Sequence, residues 1–138
     1  MSEDRADVEI AVPAEPKSVV LARQAVRGIV EALGWSEERR TDVSIAVTEA
    51  CTNAVLHAYP DGGGEYEVRV WAAPEELVVT VRDHGQGISP RVPSPVAGLG
   101  LGMPLMMAIC DEVSFASNGE GTTEVRLVFS ADGGAERE

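Results

Sequence analysis

"VTEACTNAVLHAY", Val47–Tyr59, reads as helix: Ala50, Ala54 and Ala58 continue an apolar stripe begun by Val43, Ala46 and Val47. At the edge of that stripe Glu49, Asn53 and His57 recur at four-residue spacing, about 40° apart in succession on a helical wheel. The types are chemically suggestive. An amide oxygen is a hard ligand of the kind Mg²⁺ accepts, and Mg²⁺ keeps most of its waters and takes few protein atoms. A carboxylate one turn earlier is placed to accept a proton from an attacking hydroxyl or water. His57 is better suited to a hydrogen bond at the helix end than to a metal. His84 is the other histidine and the cysteines lie elsewhere, so the pattern spells no zinc site.

The chain around this stretch has 138 residues, the length of one domain with a core of its own. No apolar run approaches the roughly 20 residues that cross a bilayer, so no membrane role is expected. The N-terminus, "MSEDRADVEI", is acidic and polar, unlike a signal peptide. Cys51 and Cys110 stand in apolar helical contexts and read as buried, reduced thiols, which implies a cytoplasmic protein. A formal charge of −12 excludes general nucleic-acid binding, which needs Lys and Arg on phosphates.

The period of the apolar residues changes along the chain. Val8, Ile10 and Val12 alternate with Glu9 and Ala11 as a strand ended by Pro13. Val19, Ala22, Val26, Ile29, Val30 and Leu33 then give an amphipathic helix stopped by Gly34. Ser36 caps the second helix, with Glu37 and Glu38 in its first turn. Pro60 and the glycines after it break that helix. Tyr66, Val68 and Val70 share one strand face, and Leu77, Val79 and Val81 share the next. After a long loop, "MPLMMAIC" starts a third helix, and "EVSFAS" and "TTEVRLVF" form two strands joined by "NGEG". The order β-α-α-β-β-loop-α-β-β predicts a two-layer α/β (α+β) sandwich. Its sheet is mixed but mostly antiparallel, with the helices on one face. The core runs from about residue 8 to 130, and 131–138 form a frayed tail.

The loop "RDHGQGISPRVPSPVAGLGLG" carries the second set of candidates. By alternation Asp83 continues the core face of Leu77, Val79 and Val81, where a carboxylate needs donors. It either caps its own turn or meets a ligand. Gly85 and Gly87 serve a turn or let the backbone approach a flat ligand. Gly98, Gly100 and Gly102 open a helix, where free amides and the dipole favour a phosphate. This is not a P-loop, because the single lysine is Lys17. Nor is it a Rossmann turn, which needs a tight strand-to-helix connection. Bound phosphates would need a divalent cation, since Arg91 is the only arginine or lysine of the loop after Arg82 at the strand end.

Together "EACTNAVLHAY", "RDHGQGI", "GLGLGMPLM" and "GTTEVRL" resemble the N, G1, G2 and final boxes of the Bergerat-fold (GHKL) ATPases. Within that group the chain is most similar to the anti-sigma factor serine/threonine kinases of Gram-positive bacteria. The resemblance spans Val8 to Phe129. It implies ATP and Mg²⁺ as cofactors, with Glu49 as general base and Asn53 as the Mg²⁺ ligand. Asp83 would accept from the adenine amino group, Gly87 would make room for the ring, and Thr122 would support Asp83. Gly100 and Gly102 would cradle phosphates, with His57, Gly85, Gly98 and Leu101 in the same cofactor-binding set and 88–99 as the ATP lid. It further implies a homodimer that phosphorylates a serine on an anti-anti-sigma factor and alternatively holds a sigma factor. "LARQAVRGIV" resembles the first helix of such kinases, where the counterpart of Arg23 serves docking by both partners. Arg23, Gln24, Arg27 and Glu31 share a polar face, and Arg23 is expected to point away from the lid. One departure stands out: Val96, Ala97, Leu99 and Leu101 occupy positions where the family often has an arginine near the phosphates. A nucleotide-gated binding module that transfers nothing is the alternative reading.

Overall fold

The computed structural model describes residues 5–58, 63–84, 102–117 and 122–131. Five strands form one sheet: β1 (Val8–Pro13), β2 (Glu65–Ala72), β3 (Glu76–His84), β4 (Glu112–Ser117) and β5 (Thr122–Ser130). Their order is β1-β2-β3-β5-β4, and every pairing is antiparallel. The helices are α1 (Pro16–Ala32), α2 (Glu37–Asn53) and α3 (Gly102–Ile109). A π-helical turn, Ala54–Ala58, prolongs α2.

Alternation explains the two layers. Val12, Tyr66, Val68, Val70, Leu77, Val79, Val81, Val125, Leu127 and Phe129 are buried together with Val26 and Val30 of α1 and Val43, Ala46, Val47 and Ala50 of α2. The opposite face carries ion pairs, among them Arg69–Glu9 at 3.1 Å and Arg82–Glu124 at 3.8 Å. An antiparallel sheet with one covered face imposes this period of two. The expected two-layer sandwich is therefore present, with a sheet that is wholly antiparallel among the described strands.

Local signals set the helix ends. Gly34 adopts φ 80°, a conformation that glycine takes without a Cβ penalty, and it ends α1. The Ser36 hydroxyl accepts a hydrogen bond from the Arg39 amide at 3.1 Å and starts α2. Trp35 between them is buried, with its indole N–H on the Pro74 carbonyl at 3.0 Å. Helix α1 packs against α2, and Ala22, Ala46 and Ala50 of the two helices are fully buried.

Two boundaries differ from the sequence reading. Strand β3 continues two residues past Arg82, so Asp83 and His84 belong to the ladder and not to the loop. The second helix changes hydrogen-bond pattern after Asn53. A π turn holds more than four residues, so position 57 falls short of a full turn past Asn53. The backbone row of Glu49 and Asn53 therefore does not continue to His57. The "NGEG" hairpin turn, the tail after Ala131 and loop residues 85–101 lie outside the described residues.

Candidate functional site

Glu49 and Asn53 are half-buried, one turn apart, above the buried Ala46, Ala50 and Ala54. The start of α2 is tied to Ser130 of β5, whose register partner is Glu76 at the beginning of β3. From there α2 runs about 25 Å, and its π turn packs against β3. The helix thus travels along β3 from the Glu76 end toward Asp83. A π-helical widening placed directly after the candidate ligand Asn53 fits the frequent occurrence of such turns at functional sites.

Asp83 lies on the sheet face that the helices cover, as the alternation predicts. Its register neighbours are Tyr66 on β2 and Thr123 on β5. Thr122 does not stand opposite Asp83 in the register. Thr122 pairs with His84 on the other sheet face, and its hydroxyl lies 3.2 Å from the His84 Nδ1. A shift of one residue turns a strand side chain to the opposite face. Thr123 is the hydroxyl beside the Asp83 carboxylate row.

Arg23 stands on α1. With Ser44, Ile45, Thr48 and Glu49 it lines an open groove of about 340 Å³ between α1 and α2. The α1–α2 contact brings this edge of α1 beside α2, and the lid from which Arg23 is expected to point away lies outside the described residues. Arg27, one turn later, bonds Ser44 Oγ at 3.3 Å and Glu37 at 3.0 Å. The polar face of α1 is thus partly a helix–helix seam.

The thiols are ruled out as nucleophiles. Burial pushes Cys51 up to about 12, and burial likewise pushes Cys110 up to about 12. A thiol is reactive as thiolate, which neither offers near neutral pH. Tyr66, buried above Cys51, is also pushed up by burial, and its hydroxyl meets Ser18 Oγ at 2.9 Å.

Gly85, Gly87, Gly98, Gly100 and Leu101 lie outside the described residues. Gly102 opens α3, and the side chain of His57 is not described. The donors that are described fit a magnesium nucleotide. A carboxylate beside a hydroxyl suits the adenine amino group, and an amide oxygen suits Mg²⁺. Among the described residues no three His, Cys, Asp or Glu side chains gather to hold a metal. An ion at Asn53 would take its other ligands from phosphates and water. Also among the described residues, no helix is long and apolar enough to cross a membrane.

Comparisons with known proteins show the family and the fold. The family model of the histidine kinase-like ATPase domain matches residues 12–129. The serine-protein kinase RsbW of Bacillus velezensis is 38% identical, over 80% of this chain and 78% of that protein. Its counterpart from Bacillus subtilis is 36% identical, over 84% of this chain and 81% of that protein. Among solved structures, the RsbU and RsbW domains of a Mycobacterium tuberculosis protein superpose with a TM-score of 0.69. That match covers 88% of this chain and 31% of the other at 21% identity, and so speaks to the fold. A single sheet covered by helices on one face, the acid–amide pair of α2 and Asp83 at the end of β3 thus belong to a member of the histidine kinase-like ATPase family, in its branch of RsbW-type serine-protein kinases.

Proposed function

We propose that this chain binds ATP with Mg²⁺ and transfers the γ-phosphoryl group to a serine of an anti-anti-sigma factor, holding a sigma factor in alternation. It acts in the cytoplasm as a homodimer. The observation that carries this reading is the groove shared by Glu49 and Arg23. A base buried with the nucleotide would reach only water, whereas Glu49 lines a surface opening that a partner's hydroxyl can enter.

The residues divide the work. Asp83 accepts a hydrogen bond from the adenine amino group, and Thr123 holds the carboxylate edge. Asn53 would hold Mg²⁺, which would offset the charge of the phosphates, while ATP would supply the phosphoryl group. Glu49 takes the proton of the serine hydroxyl as the new O–P bond forms and the bond from the γ-phosphorus to the bridging oxygen breaks, with ADP leaving. Arg23 anchors the partner beside that acid. The amides at the start of α3 face the phosphates.

The test is direct. The purified protein is incubated with labelled ATP, Mg²⁺ and a candidate anti-anti-sigma factor. Acid-stable phosphoserine on the partner is the expected product. Partner capture that depends on nucleotide, without any phosphoserine, would replace this reading by the nucleotide-gated binding module.

A further inference from the structure

Arg39 is an unusual residue to bury. It stands in the first turn of α2 and is 6% exposed. Its Nε donates to the Ser130 carbonyl at 2.9 Å, one terminal nitrogen to Asp42 at 2.9 Å and to the Ile109 carbonyl at 3.1 Å. The other terminal nitrogen donates to Asp111 at 2.9 Å, and the guanidinium lies 5.6 Å from the Phe129 ring centre. The same Asp111 oxygen accepts from the Ser130 amide at 2.6 Å. One planar fork thus joins the start of α2, the last turn of α3, the residue before β4 and the end of β5. Breaking such a buried pair leaves an uncompensated charge, so the arrangement is fixed and not adaptable.

The helix it holds needs holding. Helix α3 has eight residues, below the length at which a helix is stable alone. Among its described side chains Met106 is fully buried and Ile109 partly, while Pro104, Leu105, Met107 and Ala108 are exposed. Apolar contact through so few side chains does not fix the direction of the axis. The helix carries no basic residue in its own last turn. Arg39, from another element, supplies that positive charge at the carbonyl end, where the dipole favours it.

We propose that Arg39 is a positioning residue for the nucleotide phosphates: by clamping the C-terminal end of α3 it sets where the amides at Gly102 stand. A helix of this length spans about 12 Å, so a small tilt at the clamp becomes a displacement of order 1 Å at the other end. The inference rests on the reading that phosphates sit at the start of α3.

The experiment measures ADP and adenosine affinities, both with Mg²⁺, on the parent, Arg39→Met and Arg39→Lys. The parent should bind ADP more tightly than adenosine. In Arg39→Met that preference should fall about tenfold or more, the scale of a misplaced contact, with adenosine affinity unchanged. Lysine lacks the fork and should give an intermediate loss. A parent that binds both alike would sink the phosphate reading itself. A parent preference that persists in Arg39→Met, or equal loss of both ligands, would overturn the positioning role alone. If Arg39→Met does not fold, Arg39→Lys and Asp42→Asn carry the test, and an unchanged ADP-to-adenosine ratio in both overturns the proposal.

Discussion

Asp83 and Thr123 stand opposite each other across β3 and β5, on the sheet face that the helices cover. Thr122, its neighbour in the chain, faces the other way and meets His84. Two adjacent threonines are thereby turned to opposite faces of the sheet. Thr123→Val should weaken nucleotide binding while Thr122→Val leaves it near the parent value. Asp83→Asn should weaken it further, because an amide presents a donor where adenine also donates. A mismatched buried polar group costs about 1–3 kcal/mol, or tenfold and more in affinity. Calorimetry on the three variants decides, and an effect of Thr122→Val larger than that of Thr123→Val would reverse the assignment.

Much of this was legible in the chain because one-sided burial writes a period. Leu77, Val79 and Val81 announced the covered face of β3, and the same count reached Asp83. The choice between Thr122 and Thr123 was not legible, since it depends on the pairing partner and not on local sequence. The π turn was hidden because Asn53 and His57 also fit an α-helical spacing. Nothing in the local sequence marks Arg39. Its partners Ile109, Asp111 and Ser130 are 70, 72 and 91 residues away, and only the fold assembles them.

Glu49 and Asn53 should separate binding from chemistry. Glu49→Gln should keep nucleotide and lose transfer, by about 10²–10⁴-fold for loss of a general base. Asn53→Ala should lose the part of ATP affinity that depends on Mg²⁺. Initial rates of phosphoserine formation and calorimetry with and without Mg²⁺ read the two effects. Transfer at the parent rate by Glu49→Gln would make Glu49 a residue of the helix seam.

The buried thiols give a pH dependence with a definite sign. Cys51 ordinarily titrates at 9.0, and in the folded chain burial pushes it up to about 12. Folding therefore favours the protonated form. That stability is fully present below pH 9 and is lost as pH rises from 9 toward 12, where the unfolded chain gives up its proton first. Cys110 and Tyr66 shift the same way and add to the slope. Urea midpoints should fall between pH 8.5 and pH 10.5, roughly the span over which unfolded thiols ionise, and Cys51→Val should flatten the decline. At neutral pH both thiols should resist alkylation until urea unfolds the chain.

Arg23 offers the sharpest test of the partner surface, because it lines the same groove as Glu49. Its neighbour Arg27 is held by Ser44 and Glu37, so the two arginines of one helix face have different duties. An arginine at a groove, on a rigid helix, is a good anchor, and truncating such a residue costs about 2 kcal/mol or more. Arg23→Ala should therefore cut partner capture by about thirtyfold, with nucleotide affinity unchanged, since the proposed adenine contact is at Asp83 on the sheet. Arg27→Ala should instead loosen the α1–α2 seam and lower the melting temperature with a smaller effect on capture. Pull-down with ATP, calorimetry with ATP and thermal unfolding on both variants form one comparison. Capture that survives Arg23→Ala would return that side chain to a solvated role. Loss of capture together with nucleotide affinity would show that the groove and the nucleotide pocket are one continuous site, with Arg23 reaching into both.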